Sequence, residues 1–415
     1  MVGIPVLITA STVIVDSGLG PLRPGGVVVI DGAIVATGML EDLERQWGGL
    51  QRRIVLGNVT ILPGMIDAHV HLCFGSSDEE RLWLRRGDDD QIIEAMMGHA
   101  RELAEAGVTT ARDLGSPRQL GVTVRQIIER GLAVGPRLLV ANAPLTIPGG
   151  HAWQLGGTCE DIQTLRKRVR ERHEEGADLI KVMVTGGGTT SGSDPARSQF
   201  QRAEIEAVVH EAAALGMPVA AHAHGTEGIR FALESGVSTI EHCTWMGEGR
   251  VIGAGWDSCL VEELAQQGTP VCPTASALWD GMSATRRQAK VDTVQRMHAA
   301  GVKLIAGTDS GIKNVRHVNY VRGLEALREA GLSAREVLSA ATKQAADALG
   351  IGYIVGTLDA GKAADLVAVR GNPLEDVSCL RRVEWVMCGG RVVRSADGLP
   401  SPVPFADMRR IEKFE

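Results

Sequence analysis

The 415-residue chain predicts an α/β fold, a (β/α)8 TIM barrel accompanied by a small β-domain built from both chain ends. Three observations predict it. Short apolar runs alternate with amphipathic stretches through the middle of the chain. A glycine closes most of those stretches. Both ends carry short β-branched runs and no long helical pattern.

Residues 4–15, 26–37 and 53–61 are β-branched runs broken by Gly and Asp, which read as strands and hairpins. Residues 364–369 and 383–394 read the same way. Their likeness predicts one composite domain, 1–61 plus 352–415, around a barrel domain of 62–351. Eight apolar runs follow within the barrel region: 65–70, 107–113, 136–142, 178–184, 217–222, 237–242, 269–274 and 302–308. Parallel strands buried on both faces read as continuous apolar runs of this kind. Amphipathic stretches at 91–106, 160–175, 202–215 and 286–300 read as helices. In 202–215, Ile205, Val208, Val209, Ala212 and Ala213 recur at helical spacing. Gly107, Gly176, Gly216, Gly236, Gly268 and Gly301 stand where a helix must end and the chain reverse. They absorb several of the 51 glycines structurally.

Composition excludes other classes. The net charge of −7 gives no basic footprint for nucleic acid. No window reaches the roughly 18 apolar residues of a membrane span. The N-terminus lacks a basic, then apolar, cleavable pattern. The seven cysteines are scattered without a CxxC pair, as expected of reduced thiols. The expected setting is cytoplasmic, with a small-molecule substrate and neither nucleic acid nor membrane as partner.

Active groups of such a barrel sit at the C-terminal ends of its strands. The first run ends Asp67-Ala68-His69-Val70-His71, and alternation turns His69 and His71 to one side. Lys181 lies inside the fourth run. His222 and His242 end the fifth and sixth, and Asp309 follows the eighth. A lone histidine at a strand end is ordinarily a hydrogen-bonded polar residue. A lysine in an apolar strand is harder to dismiss, because an unpaired buried ammonium is costly. Carboxylation by CO2 would turn it into an anion able to bridge two cations.

With these residues in view, the sequence resembles the amidohydrolase superfamily. Asp67-x-His69-x-His71, Lys181, His222, His242, Asp309 and the C-terminal GTLDAGKAADLVAV carry the resemblance. The stretches GGHAWQLGG (149–157), KVMVTGG (181–187) and VAAHAHGTEGIRFALESGVSTIEH (219–242) are similar to the imidazolonepropionase-like and Xaa-Pro or Xaa-Arg dipeptidase (prolidase-like) branch. The resemblance implies a TIM barrel with a small β-sandwich, two divalent metal ions, zinc first among them, and a homo-oligomer. It implies His69, His71 and Asp309 on one metal, His222 and His242 on the other, and carboxylated Lys181 between them. A water shared by the two metals would be activated to hydroxide, with Asp309 as the proton carrier. Asp67 would orient a histidine or serve structure alone.

For the substrate, His224 lies where related dipeptidases often place a tyrosine. It becomes the candidate for the substrate carbonyl or carboxylate. His151, in a glycine-flanked loop, and Arg197, in the Gly/Ser-rich loop 185–201, are candidates for a substrate carboxylate. Loops 276–285 and 310–319, with Arg316 and His317, would close the pocket. The leading expectation is cleavage of an amide in a small N-acyl amino acid or dipeptide. Cyclic amide, carbamate, urea or ester hydrolysis stays open. Deamination is disfavoured, because such enzymes carry Glu three residues after the fifth-strand histidine and Gly225 stands there. A metal-free assembly protein is disfavoured because every ligand position is filled.

Overall fold

The computed structural model describes residues 3–395, apart from 48, 51, 76–85 and 87. The part of the expected composite domain at 396–415 therefore lies outside the described residues. Strands β1 (Val6–Ala10), β2 (Thr12–Val13), β3 (Gly25–Ile30), β4 (Ala33–Met39), β5 (Arg52–Val55) and β6 (Thr60–Pro63) open the chain. An eight-residue helix, Leu40–Trp47, follows β4 and buries Leu43.

The middle carries β7 (Met65–Val70), β8 (Val108–Asp113), β9 (Arg137–Val140), β10 (Ile180–Met183), β11 (Val219–Gly225), β12 (Thr239–Met246) and β13 (Val271–Cys272). These form two parallel sheets, β7-β8-β9 and β10-β11-β12-β13. Single parallel bridges continue the order: Leu145 with Val182, Val271 with Leu304, and Val70 with Ser310. The expected eighth strand is a difference. Residues 302–308 form one bridge, at Leu304, and no ladder, and Asp309 just beyond has φ 58°, outside the extended region. Thr274 (φ 50°), two residues past β13, has the same character, and β13 is two residues long.

Helices Asp89–Glu105, Ile162–Glu174, Arg202–Ala214 and Ala284–Ala299 lie where the amphipathic stretches predicted them. All six helix-ending glycines have positive φ, between 68° and 88°. An L side chain is strained there, which is why glycine recurs at each chain reversal.

At the C-terminal end, β14 (Leu366–Val369), β15 (Val383–Cys388) and β16 (Arg391–Arg394) join the N-terminal strands. The two outer sheets run β4-β3-β1-β5 and β16-β15-β14-β6-β2. Ile8, Val27 and Ile34 of the first share one buried core with Ile61, Leu366 and Trp385 of the second. Each such side chain contributes about 1.5–3 kcal/mol when fully buried. A larger core, including Val108, Val182, Val208 and Leu264, joins the parallel strands to their helices.

Candidate metal centre

The C-terminal ends of the parallel strands bring the candidate ligands together. His69 lies on β7 and His71 one residue past its end, with ring centres 5.3 Å apart. His242, on β12, is 5.1 Å from His69 and 4.5 Å from His222, on β11. Asp309 Oδ1 lies 3.4 Å from His69 Nε2 and 3.2 Å from His71 Nε2. Lys181 is on β10, 1% exposed.

One ring nitrogen of each candidate ligand histidine is tied to the protein. His69 Nδ1 donates to Glu241 Oε2 at 2.9 Å. His71 Nδ1 faces the Gly115 carbonyl at 3.4 Å, and His222 Nε2 donates to the Gly186 carbonyl at 3.0 Å. His242 Nδ1 pairs with Thr274 Oγ1 at 3.0 Å. A carboxylate or carbonyl only accepts, so in His69, His71 and His222 the tied nitrogen carries the proton. The other nitrogen then keeps its lone pair. Burial holds His222 and His242 well below the usual imidazole range, which keeps them neutral. Neutral imidazole is the form that binds a cation.

The fit to a metal rests on two orphans. His69 Nε2 and Lys181 Nζ are buried polar atoms without a hydrogen-bond partner. Burial pulls Lys181 down to about 8, with Glu241 and Asp309 pulling it back up. Imidazole nitrogens and carboxylate oxygens suit zinc and its neighbours. His222, His224 and His242 bring ligand atoms within 4.8 Å of one another, as do His69, His242 and Asp309. His69, Glu241 and Cys272 form a third such group, but their chemistry fits poorly. Arg112 already occupies Glu241, and burial pushes the Cys272 thiol well up, away from thiolate.

Glu241 and Arg112 were not foreseen from the sequence. Arg112 Nη2 donates to Glu241 Oε1 at 2.7 Å, Nε to the Ala68 carbonyl at 2.7 Å, and Nη1 to Thr239 Oγ1 at 3.0 Å. Burial would raise the Glu241 pKa, but Arg112 and His69 outweigh it and hold the carboxylate ionised. The available signal was the one used for Lys181, a charge inside an apolar run.

Strict alternation would put Glu241 and His242 on opposite faces. His242 (φ 70°) and Cys243 (φ 46°) are left-handed, which breaks the pleat and lets both neighbours reach His69.

Asp67 does not orient a histidine ring. Its Oδ1 accepts from the backbone N–H of His69 (3.2 Å) and Thr308 (3.0 Å), and Oδ2 accepts from the Thr308 hydroxyl at 2.6 Å. It pins the first and eighth segments together. Burial raises its pKa to about 7, and these hydrogen bonds act against the rise.

His224 and His151 both lie at the cluster. The His224 ring stacks on His242 at 4.5 Å, and its Nδ1 pairs with Thr244 Oγ1 at 3.0 Å. His151 is 4.6 Å from His222. Its Nδ1 meets Thr190 Oγ1 at 3.2 Å, and its backbone N–H donates to Gln199 Oε1 at 2.7 Å. The loop 185–201 is therefore a hydrogen-bonded wall of the site. Arg197 departs from expectation. Its side chain is 85% exposed and lies 3.5 Å from Asp194, where water solvates it more cheaply than a buried pocket would. Arg316 is likewise drawn outward, to Glu102 at 2.7 Å. His317 is buried, stacked on His99 at 4.4 Å, with Nε2 3.3 Å from the His71 carbonyl.

The amidohydrolase family's sequence profile matches residues 60–393. The chain belongs to the amidohydrolase family. It is a hydrolase of carbon–nitrogen bonds of the amide type. This amidohydrolase is 26% identical over 425 residues to ochratoxinase from Aspergillus niger, covering 90% of this chain and 84% of the relative. It is 28% identical over 370 residues to imidazolonepropionase from Symbiobacterium thermophilum, covering 83% of each. Among solved structures it is similar to a Xaa-Pro dipeptidase with methionine bound in its active site. That match has 28% identity, a TM-score of 0.82, and coverage of 94% of this chain and 100% of the other. Among the described residues, no helix of this amidohydrolase is long and apolar enough to cross a membrane.

Proposed function

We propose that this amidohydrolase is a binuclear metal enzyme that cleaves the amide of a small N-acyl amino acid or dipeptide. The two parallel sheets and their bridges are read as one (β/α)8 barrel spanning 62–351. The two outer sheets are read as a β-sandwich of 1–61 plus 352–415. His69, His71 and Asp309 would hold one divalent cation and His222 and His242 the other, with Lys181, carboxylated by CO2, between them. Zinc suits this set.

The observation that carries the reading is the orientation of the rings. Each ligand histidine is fixed through one nitrogen, and the centre holds unpaired His69 Nε2 and Lys181 Nζ. Bound cations supply an activated water and polarise a carbonyl. The chain's own residues do the rest. Asp309 stands between His69 and His71, placed to take the water's proton and return it to the leaving amine. His224 and His151 line the approach from β11 and the loop after β9, where they orient the substrate carbonyl or carboxylate. Tyrosine is absent from this role. Tyr320 is buried and donates to the Ile66 carbonyl at 2.7 Å, while Tyr353 is surface-exposed. Deamination finds no support at residue 225, where a Cβ would come within 2.2 Å of the Ala196 carbonyl oxygen. No glutamate fits there.

Metal analysis after metal-supplemented expression tests the centre. About two transition-metal ions per chain are expected, and none bound would remove the mechanism. A panel of dipeptides, N-acyl amino acids, carbamates and cyclic amides tests the substrate class. Turnover confined to the last two groups would overturn the choice.

A further inference from the structure

Seven histidines are buried among the described residues: His69, His71, His99, His151, His222, His242 and His317. Five of them form or line the centre. His99 and His317 do not, yet both bond to the backbone at its edge.

His71 differs from the other candidate ligand histidines in how it is held. His69, His222 and His242 lie inside β7, β11 and β12. His71 follows the last residue of β7, where the ladder with β8 has ended. Its ring bond is also the longest of the four, 3.4 Å to the Gly115 carbonyl against 2.9 Å for His69 and 3.0 Å for His222 and His242. A ligand keeps its geometry only when the groups behind it lock it in place. For His71 that support must come from outside the sheet.

His99 and His317 supply it. His99 lies on helix Asp89–Glu105, and His317 begins the 3-10 turn His317–Asn319, downstream of Asp309. Their rings stack with centres 4.4 Å apart and planes inclined by 16°. His317 Nε2 donates to the His71 carbonyl at 3.3 Å, and His99 Nδ1 donates to the Leu72 carbonyl at 2.8 Å. Two consecutive carbonyls at the exit of β7 thus meet two stacked imidazoles. A carbonyl only accepts, so these two ring nitrogens carry the protons. The backbone N–H of His71 donates in turn to the Ser310 carbonyl at 2.9 Å, one residue past Asp309. Gly311 (φ 96°) permits this close approach, because a Cβ there would fall 2.2 Å from the His71 carbonyl oxygen. The segment 309–317 therefore holds both the N–H and the carbonyl of His71, and its Asp309 Oδ1 lies 3.2 Å from His71 Nε2.

We infer that the stacked pair His99–His317 is a brace that sets the position of His71, and through it the affinity for the cation assigned to His69, His71 and Asp309. Both are positioning residues, acting through the backbone of His71 and taking no part in bond breaking. This rests on the metal reading above and goes beyond it. Each bond depends on one ring nitrogen, Nδ1 in His99 and Nε2 in His317. An asparagine amide places a donor near the Nδ1 position and a glutamine amide near the Nε2 position. The two sites therefore have opposite requirements.

The test titrates cobalt-loaded wild type, His99→Asn, His99→Gln, His317→Gln and His317→Asn with a chelator, following the visible Co2+ spectrum as each ion leaves. His99→Asn and His317→Gln should hold both ions as wild type does. His99→Gln and His317→Asn should release one ion at about 10–100-fold lower chelator concentration. The spectrum of that ion should change, and the ion assigned to His222 and His242 should stay. A packing role would rank the replacements by size, with the same order at both positions, and would overturn the inference. So would equal weakening of both ions. Each position is read separately, so one pair of folded variants decides the matter. Wild type that takes up no cobalt removes the metal reading and the brace with it. Wild type that binds two ions, with all four variants alike, removes the brace alone.

Discussion

His69 and Glu241, 172 positions apart in sequence, share a 2.9 Å hydrogen bond from Nδ1 to Oε2, with both side chains buried. Arg112 holds the other oxygen of Glu241 at 2.7 Å. This chain of contacts fixes which nitrogen of His69 faces the centre. Glu241→Gln should weaken metal binding about 10–100-fold, the usual cost of losing a partner behind a ligand histidine. Competition with a chelator measures it. Arg112→Met strands a buried carboxylate and should destabilise the fold by about 3–5 kcal/mol. Denaturant unfolding reads that directly.

Lys181→Ala should lose both activity and bound metal. Propionate or another short carboxylic acid, entering the space left by the side chain, should restore part of each. Full metal content and full rate without added acid would show that the lysine bridges nothing.

Asp309→Asn keeps the shape and removes the proton acceptor. A fall in kcat of about 10²–10⁴ is expected, the range for a positioned general base. Steady-state kinetics on the best substrate of the panel checks it.

Lys290 sets a pH signature of stability. Burial lowers its pKa to about 8, against ~10.4 in an unfolded chain. Between those values the unfolded chain binds more protons than the folded one. Its contribution to stability therefore rises with pH across that window and is lost as pH falls through about 8. Lys290→Met should flatten this slope, which unfolding at pH 7.5 and at pH 10 (~2.5 units apart) resolves.

Gly187→Ala would place a Cβ 2.4 Å from His151 Nε2. The ring must move, and with it the wall facing His222. A loss of about 10²-fold in kcat/KM is expected if the displacement nears 1 Å. Metal content should stay at the wild-type level, because His151 is outside the ligand set.

Much of the molecule was legible because the signals are local. A helix must end in a left-handed residue, so Gly107 and its five counterparts mark the turns. His69 and His71 share a side because strands alternate. Lys181 stands out because an apolar strand holding an ammonium contradicts its own burial. Arg112 and Glu241 carried the same contradiction, but each makes sense only through the other, across 129 positions of chain.

The sequence by itself determined where the helices end, where the parallel strands begin, and that a cluster of imidazoles meets at one rim. Tertiary structure decided the rest. It turned Arg197 out to solvent and brought Lys290 inward against Trp279, although both lie in stretches rich in polar residues. It also left the seventh strand two residues long and reduced the expected eighth to a single bridge at Leu304. The physical reason is the range of the forces involved. Turn and strand preferences act within a few residues, whereas the burial and pairing of a charge depend on which distant segments pack around it.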